Sequence, residues 1–291
     1  MLRAEKLLTI VLFFIVLSAF NQPDAKSYYN TGVENLNNRE YMQAIGAFTN
    51  AISLKPDYAE AYFYRAYAKD LLGKKMGFES TELCYDLVTA LKLGKQEAAG
   101  KLEKNCMGEC FTPETAFNDP QNVYCADFSG RSLKDLPSGS EKLKYVVKLN
   151  FMDNALGTIT PKITDLHMLV SLDLTNNNIT TIPAIIGKLS NLRELNLNKN
   201  NIKELPLEFG KLSNLKVLTF RQNQLTEMPR SIAQLTSLET LDLAFNKITS
   251  LPLEIANLKR LKTLTLVGNE IPTREQQKIK ALLPNTKIYF E

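Results

Sequence analysis

This 291-residue chain has no tryptophan and a single histidine. Histidine-based acid/base chemistry would therefore rest on His167 alone, although carboxylates could act without it. No dense run of Lys and Arg with interleaved aromatics occurs, and a net charge of +4 is modest for the length. Nothing here points to nucleic acid. No apolar run reaches the roughly twenty residues that a membrane-spanning helix needs. None of the four cysteines forms a C-x-x-C pair, which makes a zinc site a weak alternative.

What is present begins at the N-terminus. Arg3 and Lys6 precede an apolar run, Leu7 to Phe20 (LLTIVLFFIVLSAF), and a polar stretch, NQPDAKS, follows. This is the layout of a secretory signal peptide, here residues 1–25. Ala25 is one cleavage site and Ala19 the other candidate, Pro23 being poor at the minus-three place of the first. No cysteine follows the run, which argues against a lipid-anchored lipoprotein. The alternative is an uncleaved anchor, the one route by which this chain would stay on a membrane. Export (secreted, periplasmic or cell surface) makes Cys84, Cys106, Cys110 and Cys125 disulfide candidates, with three possible pairings.

The C-terminal half carries a repeat. The pattern L-x-x-L-x-L-x-x-N-x-L/I starts at Val146, Leu169, Leu192, Leu215, Leu238 and Leu261, in steps of 23 residues. Its ninth position is Asn154, Asn177, Asn200, Asn223, Asn246 and Asn269. Four units continue with proline, at Pro183, Pro206, Pro229 and Pro252, followed by an apolar residue and a leucine. A fixed period of this size means a solenoid. Apolar positions four and six alternate with polar ones, as in a short strand with one buried face. The asparagine amide both donates and accepts, so it can satisfy backbone groups where the chain leaves the strand. Proline fixes φ and lacks an N–H, which suits an irregular or 3₁₀ return. His167 falls between structural leucines in this register.

Residues 123–291 resemble a leucine-rich repeat domain of the 23-residue type with LPxxIxxL returns. The resemblance implies parallel strands on a concave face that binds proteins, less often peptides or glycans. One unit earlier, NVYCADFSGRSLKDLP keeps the register from Val123 but has Arg131 in place of the asparagine. It resembles the cysteine-bearing N-terminal caps of extracellular members. At the other end PTREQQKIKALLP reads as a helix, and KIYF as a closing strand.

Residues 26–108 read as helical. Tyr28, Gly32, Ala44, Phe48, Ala51 and Pro56 fall on the marks of a tetratricopeptide repeat, and Tyr62 and Ala66 on those of a second unit. The second unit reaches Ala90 late, so GKKMGFES is expected to be a turn carrying an insertion. KQEAAGKLEKNC reads as a capping helix and residues 109–122 as a linker. The resemblance implies a groove lined by Tyr29, Phe63 and Tyr67, able to hold a peptide or helix. The plainer alternative is that these rings fill space between helices. If the helices that carry Cys84 and Cys106 are antiparallel, both sulfurs lie at one end of the pair. The expected bonds are then Cys84–Cys106 and Cys110–Cys125.

The fold class expected is thus helical hairpins followed by a curved solenoid. On its concave face the structural pattern leaves positions two, three, five, seven and eight open to function. Met152, Asp173, Asn196, Asn198, Lys199, Arg221, Asp242 and Phe245 are the candidate partner contacts. Arg221 and Phe245 stand on adjacent strands and are of the residue types enriched among interface anchors. The alternative for Phe245 is a ring that only covers a neighbouring loop. No nucleophile is paired with a base, and no carboxylate cluster suits a metal, so neither an enzyme nor a cofactor is expected. The expected function is an exported scaffold for a protein or peptide partner. The alternative is an adhesin or lectin, whose sugar hydroxyls would meet the exposed asparagines and aspartates. Asn178-Ile179-Thr180 is an N-glycosylation sequon.

Overall fold

The computed structural model describes residues 23–77, 82–106, 110–120 and 123–291. The apolar N-terminal run and the Ala19 cleavage site lie outside the described residues. No described helix is long and apolar enough to cross a membrane. The chain divides into two compact units, Met1–Ala98 and Ala99–Glu291. The division falls inside the helix over Glu97–Asn105.

The first unit contains α1 (Ala25–Asn37), α2 (Tyr41–Leu54), α3 (Ala59–Met76) and α4 (Glu82–Lys92); α5 (Glu97–Asn105) starts at its end. Asp24 caps α1 by accepting the Ser27 N–H at 2.7 Å. Short connections between α1, α2 and α3 fit helical hairpins. Gly32 is required where α1 meets α2, because a Cβ there would stand 2.5 Å from Phe48 Cε1. The expected turn GKKMGFES is instead helical through Met76. Its lysines are good helix formers, and α3 ends only at Gly77, whose φ of 76° suits glycine alone. Sequence patterning missed the charge lock between α3 and α4. Asp86 is fully buried and takes Arg65 through both oxygens, Nε–Oδ2 at 3.0 Å and Nη2–Oδ1 at 2.6 Å. Lys69 joins at 3.1 Å. Such a buried carboxylate is tolerable only because it is paired.

Beyond α5, most of which belongs to the second unit, that unit holds a short helix, α6 (Pro113–Ala116), and then forms one eight-stranded parallel sheet in sequential order. Its strands are β1 (Cys125–Asp127), β2 (Lys148–Asn150), β3 (Ser171–Asp173), β4 (Glu194–Asn196), β5 (Val217–Thr219), β6 (Thr240–Asp242), β7 (Thr263–Thr265) and β8 (Lys287–Tyr289). Each residue pairs with its counterpart one repeat on, for example Leu172 with Leu195. β1 confirms the degenerate first unit, and β8 the closing strand. Phe111 extends the pairing at the N-terminal edge, and Cys110 is bonded to Cys125. Cys84 and Cys106 are also disulfide-bonded, and no cysteine is free.

The returns are a short helix, α7 (Pro161–Thr164), in the unit that lacks the LP motif, and 3₁₀ turns in the four units that have it. In each of those four the proline occupies the N-cap. The last return is α8 (Thr273–Leu282), the helix expected there. Leucines and isoleucines from all units form one continuous core, with Phe128, Phe151, Phe209 and Phe220 filling its widest layers.

At each strand exit the asparagine joins two repeats. Asn223 Nδ2 donates to Leu197 O of the previous unit at 2.8 Å and to Phe220 O of its own at 3.1 Å. Its Oδ1 accepts the Ile202 N–H at 3.1 Å. Asn154, Asn200, Asn246 and Asn269 repeat this pattern. Asn177 departs from it. Its Nδ2 still donates to Phe151 O, but its buried Oδ1 has no partner. The preceding unit lacks the LP motif and turns at Gly157, whose N–H donates instead to the Asn177 backbone carbonyl at 3.0 Å. Truncating Asn223 to alanine leaves buried backbone groups unpaired, at about 1–3 kcal/mol each. Asn177→Ala is expected to cost about 1 kcal/mol less than Asn223→Ala, because one of its bonds is already missing. Chemical denaturation followed by circular dichroism compares the two; equal losses would contradict this account of the ladder.

Candidate functional site

The strand face of the second unit collects the candidate contact residues, and the structure sorts them into two groups. Position five is mostly committed to the fold. Asp173 Oδ1 accepts the Thr175 N–H at 2.8 Å, Asn196 Oδ1 accepts that of Asn198 at 3.1 Å, and Asp242 Oδ1 accepts that of Ala244 at 2.9 Å. Each is a short polar side chain bonding its own backbone two residues on, which caps the strand end. Neighbouring caps are also linked. Asn196 Nδ2 donates to Asp173 Oδ2 at 3.1 Å, and the Thr219 hydroxyl donates to Asn196 Oδ1 at 2.8 Å. Asp127 does the same in the first repeat of the solenoid. Burial works to raise its carboxyl, but the Ser129 hydroxyl and N–H, the Asn150 side chain and the Arg131 charge together hold it below the usual range. These residues were expected to be free for a partner; their local geometry explains why they are instead short and polar.

Asn198 is also engaged, its Oδ1 accepting the Arg221 N–H at 2.6 Å, and Met152 is half-buried. Asp173 and Asp242 stand on β3 and β6, too far apart to act as a catalytic pair at a strand spacing of about 4.8 Å. A concave depression of about 460 Å³ runs over β1 to β5, with Asp127, Lys148, Asp173 and Glu194 on its wall.

Position eight holds the larger correction. It is not free of the fold: the backbone is left-handed there in every unit. φ is 67° at Gly130, 56° at Asp153, 54° at Asn176, 53° at Lys199, 58° at Gln222, 55° at Phe245 and 70° at Gly268. In the six from Gly130 to Phe245 the N–H bonds a carbonyl of the next repeat, as in Phe245 N–H to Val267 O at 2.7 Å and Lys199 N–H to Arg221 O at 2.8 Å. Glycine, asparagine and aspartate tolerate this region; long and aromatic side chains do not favour it. The tolerant residues occupy both ends of the solenoid. Lys199, Gln222 and Phe245 are consecutive in its middle.

Phe245 is 43% exposed, yet its ring is placed. Arg221 Cζ lies over it at 4.6 Å from the centroid. The ring also lies against Gly268, where an added Cβ would stand 2.6 Å from Phe245 Cδ1. Arg221 and Phe245 therefore come together as the sequence suggested, and Gly268, which the sequence did not single out, is their seat.

In the first unit, Tyr29 packs on Phe48, Tyr58 and Tyr64 with centroids 5.8, 5.1 and 5.9 Å away. Burial, with the neighbouring Tyr64 phenol second, pushes its own phenol up to about 12. Tyr64, missed in the sequence, links Tyr29 on one side to Phe63 on the other, at 5.4 Å. Phe63 and Tyr67 share a face of α3 and are half-buried. The sequon residue Asn178 is exposed, at φ 56°.

Residues 143–245 and 184–283 match the leucine-rich repeat region family model. Residues 143–283 are thus similar to a leucine-rich repeat region. No curated protein matches the chain. Among solved structures, a leucine-rich repeat protein of Leptospira interrogans is 31% identical over 59% of this chain and 50% of its own, with a TM-score of 0.49. The plant peptide hormone receptor RGFR1, in complex with RGF2, is 30% identical over 58% of this chain and 28% of its own, also at 0.49. The chain thus spans half the length of the first and less of the second.

If Phe245 only fills space, replacing it should cost the fold. If its left-handed backbone is tolerated for another reason, glycine should relieve about 1 kcal/mol of strain while losing the ring contacts. Phe245→Gly is expected to leave solenoid stability within about 1 kcal/mol of the parent. Denaturant unfolding measures this, and a loss above about 2 kcal/mol would make the ring a structural filler.

Proposed function

We propose that this chain is an exported, non-catalytic scaffold that binds a protein or peptide partner through the strand face of its leucine-rich repeat region. The aromatic face of the first unit, around Phe63 and Tyr67, is the second candidate surface, and the resemblance of that unit to tetratricopeptide repeats supports it. One observation carries the assignment of the main face. Four of the eight candidate contacts there are consumed by strand-end caps and cross-repeat bonds, whereas Lys199, Arg221 and Phe245 stay exposed at its centre. Side chains that the fold does not use, on a rigid scaffold, are the material from which interfaces are made.

The glycan alternative has less support. The short polar residues that would meet sugar hydroxyls already bond their own backbone, and the Phe245 ring, on which a sugar would stack, already carries the Arg221 guanidinium. Export is supported by the apolar N-terminal run and by the disulfide bonding of all four cysteines. We assign the second bond to Cys84 and Cys106. Peptide mapping without reduction is expected to recover these two in one linked fragment, and a Cys84–Cys110 or Cys84–Cys125 fragment would overturn it.

Affinity capture tests the face. The mature chain and an Arg221→Glu/Phe245→Ala variant are immobilised and offered envelope and host-surface extracts. A protein held by the first and at least about 10-fold less by the second is the expected result, since losing a central anchor costs roughly 2 kcal/mol or more. Equal retention by both would move the site to Phe63 and Tyr67 in the first unit.

A further inference from the structure

Three observations on the strand exits of β4 to β6 converge. The first is backbone conformation. Of the seven left-handed position-eight residues, four are glycine, asparagine or aspartate, and the other three are consecutive: Lys199, Gln222 and Phe245. All three are exposed, so burial does not explain the choice of residue. Residues held in sparsely populated backbone regions cluster where a protein binds.

The second observation is charge. Among the described residues neither Arg221 nor Lys199 has a carboxylate partner, although lysines and arginines elsewhere on the solenoid do, such as Lys262 with Glu239 and Lys162 with Asp135. Asp242, one strand over from Arg221, spends Oδ1 on the Ala244 N–H. The backbones of Lys199 and Arg221 are joined by the Lys199 N–H to Arg221 O bond, so the two residues that bear unpaired cations stand on adjacent repeats at the same strand exit.

The third is pre-organisation. The Arg221 guanidinium is held over the Phe245 ring at 4.6 Å, the ring is seated on Gly268, and the Arg221 N–H is held by Asn198 Oδ1 at 2.6 Å. A guanidinium resting on a ring keeps its N–H edge free and restricted in direction, which suits a carboxylate.

We propose that Arg221, Lys199, Gln222 and Phe245 form a carboxylate-binding site for an acidic peptide segment. A Glu or Asp of the partner takes the Arg221 fork with Lys199 beside it, Gln222 bonds the partner backbone, and an adjacent apolar side chain packs on the exposed edge of Phe245. This rests on the protein-binding assignment of the strand face and narrows it to one partner chemistry. An acidic sugar would satisfy the cations but would meet a ring already occupied by the Arg221 guanidinium, so a peptide is favoured.

The test uses the full mature chain on an array of randomised 12-residue peptides. Each has one Asp or Glu beside Leu or Phe. A matched set carries Asn or Gln instead, and a third set carries sialylated and uronic-acid oligosaccharides. Acidic peptides are expected to bind about 10-fold or more tightly than their amide counterparts and to weaken between 50 and 300 mM salt. Arg221→Gln is expected to reduce that discrimination to about 2-fold, with Arg221→Lys intermediate because a point charge replaces a fork. Phe245→Gly is expected to weaken all bound peptides together. Equal binding of acidic and amide sets would overturn the carboxylate site while leaving a protein-binding face in place. Preference for the oligosaccharides would overturn the peptide assignment. Retention of no peptide would overturn the site outright, and the capture experiment would then decide separately whether the face binds protein at all.

Discussion

The stacking of repeats in the second unit depends on one amide at the exit of each strand from β2 to β7. Where the chain leaves a parallel strand it must turn, and the backbone groups at the turn lose their sheet partners. A carboxylate cannot donate to the two carbonyls, and a hydroxyl is too short to reach both repeats. Asn223 does it all, giving its NH₂ to Leu197 O and Phe220 O and its oxygen to the Ile202 N–H. Because one of the bonds always crosses to the previous unit, the amide fixes the spacing of repeats as well as the turn. The core then follows, since leucines stacked at that spacing leave no gap between units.

The same turn creates the feature on which the proposed site is built. To bring its N–H back toward the next repeat, the residue before the asparagine goes left-handed. That residue points to solvent, so it is under backbone constraint without packing constraint. Selection of side chain there is a compromise between the ease of glycine, asparagine or aspartate and whatever a larger side chain does outside the fold. The caps at position five act in the opposite direction. They look like exposed chemistry in one dimension and turn out to be part of the strand end.

Much of this was legible in the sequence. The 23-residue period gave the strand register, the ladder, the first degenerate unit and the closing strand, because a repeated pattern averages away local ambiguity. The helical unit was legible in outline from Gly32, Phe48 and Pro56, which mark close packing and a helix end. What could not be read were interactions without periodicity. Asp86 lies twenty-one residues from Arg65, and nothing in either neighbourhood announces a buried ion pair. Helix α3 runs through Gly73 because a buried glycine can continue a helix, whereas Gly77, four residues on, ends it. Tyr64 was overlooked for Tyr29, Phe63 and Tyr67 because the family marks placed those three on a groove. The left-handed position eight did leave a signal: Gly130, Asp153, Asn176 and Gly268 are all residues that tolerate it, in one column of the repeat.

That column also explains why Phe245 stood out in the first place. A ring at an exposed, left-handed position is neither what the turn prefers nor what the core needs. The fold tolerates it through Gly268, which has no Cβ to meet the ring, and the ring in turn holds Arg221. Each step is a cost accepted by one repeat to place a side chain of the repeat before it. A chain of such accommodations running from Gly268 through Phe245 to Arg221 ends at a cation with no carboxylate of its own. An unpaired guanidinium held in position by two neighbouring repeats has its binding entropy partly removed in advance, and it is this advance ordering, more than the charge itself, that separates a recognition site from an ordinary surface arginine.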